Sequence, residues 1–381
     1  MTLTALIASE IFDGQATHQG AALLIEGERV IGVVDQADVP GAALRQVTAG
    51  GMLAPGLVDL QVNGGGGVML NDDPTPGTMA HIAAAHARLG TTSILPTLIT
   101  DTPAHTAAAI DAAAQALARG VPGVAGLHLE GPHLSVARKG AHDATLIRPM
   151  SQADLAGLLA AAARIPALLV TMAVESVTPD QISRLAGAGV LVSLGHTEAS
   201  YEQVQAAVQA GARSATHLFN AMSGLGNREP GLVGAVLDMG GLSAGLIADG
   251  YHVHPAAMRA ALRAKRGPGQ IYLVSDAMAT IGSDLTGFTL NGRQVYRGGG
   301  RLTLADGTLA GADIDLLSAV RYAVAHLDMP RDEALARAGR IPAALAGLTD
   351  RGHFGRGARA DILHLADDLS LSAVWQGGQR L

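Results

Sequence analysis

Leu191-Val-Ser-Leu-Gly-His196 is a short apolar run that ends on a histidine. Ser200-Tyr-Glu-Gln-Val-Gln-Ala-Ala-Val-Gln-Ala210 follows with a helical pattern, and Ala215-Thr-His-Leu218 is a second apolar run closed by a histidine. Strand, helix and strand in that order read as one parallel βα unit. The same alternation extends outward in both directions. Apolar runs are placed at 57–62, 93–98, 126–130, 168–173, 191–196, 215–218, 244–248 and 272–276, with helical patterns at 76–88, 104–118, 151–163, 178–188, 200–210 and 255–264. Eight such cycles predict an α/β fold, a (β/α)8 TIM barrel. The link between the sixth and seventh runs is Gly/Pro-rich and the least regular, and a final helix is predicted over 313–327.

The residues able to do chemistry sit where the runs end. Gln61 and Asn63 close the first, Glu130 the third, His196 the fifth, His217 the sixth and Asp276 the eighth. In a barrel all strand ends open on one face, so residues distant in sequence can meet around one ion. A lone histidine after an apolar strand is more often a core residue, and a lone acid such as Glu130 can simply cap the next element. Two histidines on successive strands with a carboxylate on an earlier one form the ligand set of a catalytic zinc with an open water position. Asp276 either caps or pairs locally, or acts beside that ion as the group that accepts a proton from water and returns it to a leaving amine.

The chain ends organise differently. Residues 4–34 alternate and turn like strands, with Glu26-Gly27-Glu28 as a hairpin turn, and 360–381 read as two more short strands around Gly377-Gly378. Joined, residues 1–53 and 354–381 make a small β-sandwich domain, with the barrel occupying 54–353. The Asn291-Gly292 and Asp306-Gly307 turns mark a β insertion near 287–309.

Composition bounds the partners. Of 381 residues 48% are apolar and 15% charged, with 49 glycines, which suits a compact α/β protein. A net charge of −7 without a Lys/Arg cluster argues against a nucleic-acid backbone as partner. The chain has no cysteine, which excludes disulfides, thiolate zinc sites and cysteine nucleophiles and fits a reducing cytoplasm. Its start carries Glu10 and Asp13 rather than a basic leader. The apolar stretch Leu155 to Val174 approaches a membrane span in length, but Arg164 and Pro166 split it into a helix and a buried strand. No membrane is expected as partner.

Several strings together resemble a family. Pro55-Gly-Leu-Val-Asp-Leu-Gln-Val-Asn-Gly-Gly-Gly-Gly67, Gly126-Leu-His-Leu-Glu-Gly-Pro132, Lys139-Gly-Ala-His142, Gly195-His-Thr197, Thr216-His-Leu-Phe-Asn-Ala-Met222, Arg228-Glu-Pro-Gly231, Ala248-Asp-Gly-Tyr-His252 and Ser275-Asp-Ala277 are similar to those of the N-acetylglucosamine-6-phosphate deacetylases of the amidohydrolase superfamily. The similarity runs in order from about residue 50 to 315. It implies hydrolysis of N-acetylglucosamine 6-phosphate to the amino-sugar phosphate and acetate, with N-acetylgalactosamine 6-phosphate or an unphosphorylated acetamido sugar as alternative substrates. One divalent metal ion per subunit, zinc first, would be held by Glu130, His196 and His217, with Asp276 as general base and acid. Most of the superfamily has His-x-His where this chain has Gln61 and Asn63. Amides are poor ligands beside imidazole, so a first metal site is not expected and the pair would orient water near the remaining ion. No cysteine stands in the strand-three loop and no lysine between Leu168 and Glu175, so the ligands of two-metal relatives are missing too.

By the same resemblance His142 faces the acetamide carbonyl as a catalytic and substrate-binding residue, Asn220 and Ala221 lie near the phosphate, and His252 and Arg228 bind it. Arg228 would reach the neighbouring active site of a homodimer, since its planar fork suits phosphate oxygens; otherwise it is a surface residue in a Gly/Pro loop. His133 stands where the family often has an aromatic residue, and His105, His326, His353 and His364 read as structural or exposed. A non-enzymatic alternative is a scaffold barrel whose Gln61 and Asn63 record a decayed site.

Overall fold

The computed structural model describes residues 2–48 and 50–381. Eight strands form one parallel sheet in sequential order: β1 Leu57–Val62, β2 Thr91–Ile99, β3 Leu127–Glu130, β4 Leu168–Met172, β5 Leu191–Leu194, β6 Ser214–Ala215, β7 Ser243–Ile247 and β8 Ile271–Val274. These strands are buried almost throughout, as both faces of a barrel wall are covered. The first and last strands close the ring by a short seam. Val62 bridges Ala277, the Asp276 amide donates to the Gln61 carbonyl at 3.0 Å, and the Asn63 amide to Ala277 at 2.8 Å. Asp59 adds a side-chain stitch, its Oδ2 accepting from the Ser275 amide at 3.1 Å.

Helices alternate with the strands and start where the local chemistry satisfies their first amides. Ser151 with Asp154, Thr178 with Gln181 and Ser200 with Gln203 are reciprocal capping boxes, and Thr75 and Thr102 cap two further helices that open on proline. The stretch of near-membrane length divides into helix Gln152–Ala162 and β4. Among the described residues no helix is long and apolar enough to cross a membrane.

Three features depart from the sequence reading. The fifth, sixth and eighth runs end earlier than 196, 218 and 276, because the backbone leaves the extended region: φ is 49° at His196, 33° at His217 and 52° at Asp276. The irregular link contains helix Gly231–Asp238, which is apolar on nearly all sides and so shows no amphipathic stripe. Helices Arg331–Ala338 and Arg340–Leu345 follow Leu316–His326, which is therefore not the last.

Strands from both chain ends build two further sheets, one of four strands and one of six. The six-stranded sheet pairs Met52–Pro55 with Ile362–Leu365. Between the sheets lies a core that includes Leu6, Ile11, Leu23, Leu53, Phe354 and Trp375. Gly27-Glu28 and Gly377-Gly378 form the tight turns of their hairpins. The insertion after β8 is a four-stranded antiparallel sheet spanning Gly287 to Ala312, turned at Asn291 and Gly292 with φ 50° and 73°. Its Leu290, Val295, Leu302 and Ala310 pack on Met69, Ile99 and Met278, which sets it against the open end of the barrel.

Candidate active site

Glu130, the last residue of β3, is 2% exposed, and its Oε1 lies 3.1 Å from His217 Nε2 and 3.4 Å from His196 Nε2. The two imidazole Nε2 atoms are 3.0 Å apart. His196 Nδ1 donates to the Arg138 carbonyl at 2.7 Å, which leaves its Nε2 as a lone pair directed at the other two atoms. A tetrahedral ion with ligands at about 2.0–2.1 Å separates its ligand atoms by about 3.3 Å, so this triangle has the size of three corners around one ion. His217 Nδ1 is buried and lacks a comparable brace. The left-handed backbone at His196 and His217 turns both rings into the barrel mouth, at a cost of about 1–3 kcal/mol each that the surrounding fold must hold.

His142 joins the group from the loop after β3. Ligand atoms of Glu130, His142 and His196 lie within 4.8 Å of one another, and His142 Nε2 is 3.9 Å from Glu130 Oε2. His142 is wider of the centre than His217. Its Nδ1 accepts from the Thr100 amide at 3.3 Å and faces the Thr100 hydroxyl at 2.8 Å, so the neutral ring carries its proton on Nε2. Burial, with the neighbouring His196, pushes the His142 imidazole down to about 3, which keeps it neutral.

Two amides at the end of β1 each hold an acid. Gln61 Nε2 donates to Glu130 Oε1 at 3.1 Å, and Asn63 Nδ2 donates to Asp276 Oδ1 at 2.7 Å. Gln61 thus braces an acid of the triangle, while Asn63 also lines the cavity and keeps a buried Oδ1 with no partner. Burial first, then repulsion from Glu130, pushes the Asp276 carboxyl up to about 6. Burial acts upward on Glu130 as well, but the His196 and His217 rings beside it outweigh burial and hold that carboxyl well below the usual range.

These groups face a cavity of about 240 Å³ that also takes in Asn220, Ala221 and His252, with Leu290, Thr308 and Leu309 of the insertion as one wall. Among the described residues that line it there is no lysine or arginine. Arg228 is exposed and outside the lining of its own chain's cavity. His133 turns its Nδ1 to the Arg148 carbonyl on the barrel flank, away from this cavity. His105 is paired to Asp101, His326 stacks on Tyr322, and His353 and His364 bond to backbone carbonyls, in keeping with structural roles.

A sequence profile of the amidohydrolase family matches residues 52–381. The chain belongs to the amidohydrolase family. The amidohydrolase is 44% identical over 331 residues to the N-acetylgalactosamine-6-phosphate deacetylase of Shewanella sp. (strain ANA-3), covering 87% of this chain and 83% of that one. It is 33% identical to the N-acetylglucosamine-6-phosphate deacetylase of Haemophilus influenzae, covering 95% and 94%. The crystal structure of the N-acetylglucosamine-6-phosphate deacetylase from Pasteurella multocida superposes with a TM-score of 0.95 at 33% identity, over 100% of this chain and 99% of that one. The protein is a metal-dependent hydrolase of amides, and its buried Glu/His/His group is suited to a single divalent ion.

Proposed function

We propose that this amidohydrolase hydrolyses the acetamido group of an N-acetylhexosamine 6-phosphate, N-acetylglucosamine 6-phosphate first, to the amino-sugar phosphate and acetate. One observation carries the reading: Glu130 Oε1, His196 Nε2 and His217 Nε2 form a ligand-sized triangle in the same cavity as a carboxyl raised to about 6. In this reading the triangle holds one ion, zinc by its nitrogen and oxygen donors. A bound ion of this kind polarises the amide carbonyl and makes water a nucleophile near neutral pH.

The chain's own residues do the rest. Asp276 accepts the proton of the attacking water and delivers it to the amide nitrogen as the C–N bond breaks. Asn63 holds Oδ1 of Asp276, leaving Oδ2 for that proton, and its unpartnered Oδ1 is available to orient water or the substrate N–H. His142 presents a neutral Nε2–H to the acetamide oxygen, where negative charge develops. Gln61 fixes Glu130 and, with Asn63, completes the orientation of water near the ion.

The phosphate would lie against His252 and the backbone at Asn220 and Ala221. Arg228, exposed and outside the lining of its own chain's cavity, would reach the phosphate of a neighbouring subunit's site in a homodimer. A chain without cysteine suits work in the cytoplasm.

A second reading, N-acetylgalactosamine 6-phosphate as preferred substrate, is favoured by the 44% identity to the Shewanella enzyme against 33% to the Haemophilus one. Acetate release from the two 6-phosphates and their unphosphorylated sugars tests both. The phosphorylated pair should be hydrolysed far faster, and the larger kcat/KM names the epimer. No acetate from any of the four would end the deacetylase reading.

A further inference from the structure

The sugar-phosphate reading of the cavity leaves out the acid beside His252, and the inference that follows rests on that reading. After β7 the chain turns through Ala248-Asp-Gly-Tyr-His252. Asp249 Oδ1 accepts from the backbone amides of Tyr251 at 2.8 Å and His252 at 2.9 Å, and its Oδ2 lies 2.6 Å from His252 Nδ1. Gly250 holds the turn at φ 78°, where a Cβ would stand 2.4 Å from the Tyr322 hydroxyl. Both side chains are buried, at 4% and 6% exposure.

A carboxylate only accepts, so the ring must donate from Nδ1, and the nitrogen left for the cavity is Nε2. That atom has no hydrogen-bond partner among the described residues, and His252 lines the cavity. Among the described residues the lining holds no Lys or Arg, and Nε2 of His252 offers an anionic ligand group a ring nitrogen backed by a carboxylate. We propose that Asp249 is a positioning residue: by taking the Nδ1–H of His252 it fixes the ring and turns Nε2 to the cavity, where that nitrogen, protonated as the ligand binds, donates to the substrate phosphate.

Ring-15N-labelled, metal-loaded protein tests this, with the His252 signals assigned through His252→Gln. The expected wild-type state is a protonated Nδ1 without ligand, and both nitrogens protonated when inorganic phosphate is added. Asp249→Asn keeps the amide acceptor at Oδ1 but turns an N–H toward the ring. Its Nδ1 should become bare and its response to phosphate should disappear. Its kcat/KM on the 6-phosphorylated sugar should fall about ten- to a hundred-fold through KM, with the unphosphorylated sugar within about threefold of wild type. Asp249→Glu should recover part of the loss.

A bare Nδ1 in the wild type, an unchanged phosphate response in Asp249→Asn, or equal losses on both sugars would overturn the proposal. A wild type without preference for the phosphorylated sugar defeats the sugar-phosphate reading and the phosphate half of the proposal with it. The ring nitrogens in the absence of ligand decide the Asp249 half independently.

Discussion

Asp276→Asn should move activity and stability in opposite directions. The residue sits at φ 52°, a region that asparagine tolerates, so the backbone is not the variable. The amide oxygen introduced there can still accept from Asn63 Nδ2, and no atom of the Glu130, His196 and His217 triangle changes. The loss of a general base predicts a fall in kcat of about a hundred- to ten-thousand-fold, with metal content retained. Stability should rise in protein stripped of metal, because ionising this buried carboxyl is unfavourable. The interval from 3.8 in the unfolded chain to about 6 in the fold corresponds to about 3 kcal/mol. A carboxyl raised by folding is protonated in both states at low pH, where its full stabilising contribution is present. That contribution is lost as pH climbs from 3.8 to about 6, so the advantage of the variant opens across that window and is complete above it. With an unfolding entropy of about 2.1 cal/mol/K per residue, 3 kcal/mol raises Tm by about 4 °C. Acetate release, metal analysis and thermal melts at pH 4 and pH 8 would check it. Near-normal turnover would refute the proton role, and a lower Tm at pH 8 would refute the electrostatic argument.

Two further outcomes test other parts of the site. Arg228→Ala should weaken the 6-phosphorylated substrate about ten- to a hundred-fold and spare the unphosphorylated one. Mixing Arg228→Ala with Asp276→Asn chains should restore activity, since a trans arginine puts both defects in one site; a mixture as inactive as its parents would remove the trans role. Gly126→Ala would bring a Cβ within 2.0 Å of the Ala167 carbonyl oxygen at the root of β3, so a loss of about 1–3 kcal/mol is expected by chemical denaturation. An unchanged midpoint would show that β3 and β4 can separate there at no cost.

The barrel was legible because eight buried strands alternate with helices, five of which start on serine or threonine caps. β1 and the helix Pro255–Ala264 fall where the apolar pattern places them. The pattern fails where burial is nearly complete, as in Gly231–Asp238, since a helix that is apolar on nearly all sides has no stripe to read. It also overextends strands at His196, His217 and Asp276: an apolar run continues through a residue whose φ is positive, and only the fold reveals the turn that aims the side chain. The acid and imidazoles of the triangle were legible from their places at strand ends. His142 was not, because it comes from a loop and depends on Thr100 for its orientation, and it entered only through resemblance. Asp249 was missed although Asp-x-x-His in a turn is the spacing that lets a carboxylate cap two amides and reach the ring.

One ion on Glu130, His196 and His217 is expected to drive deacetylation. Chelated protein titrated with Zn²⁺ against acetate release from N-acetylglucosamine 6-phosphate and N-acetylgalactosamine 6-phosphate tests it most directly. Activity should be absent without metal, return fully at one equivalent per chain, and fail to return in His217→Ala. Full activity in metal-free protein, or a requirement for two equivalents, would contradict it.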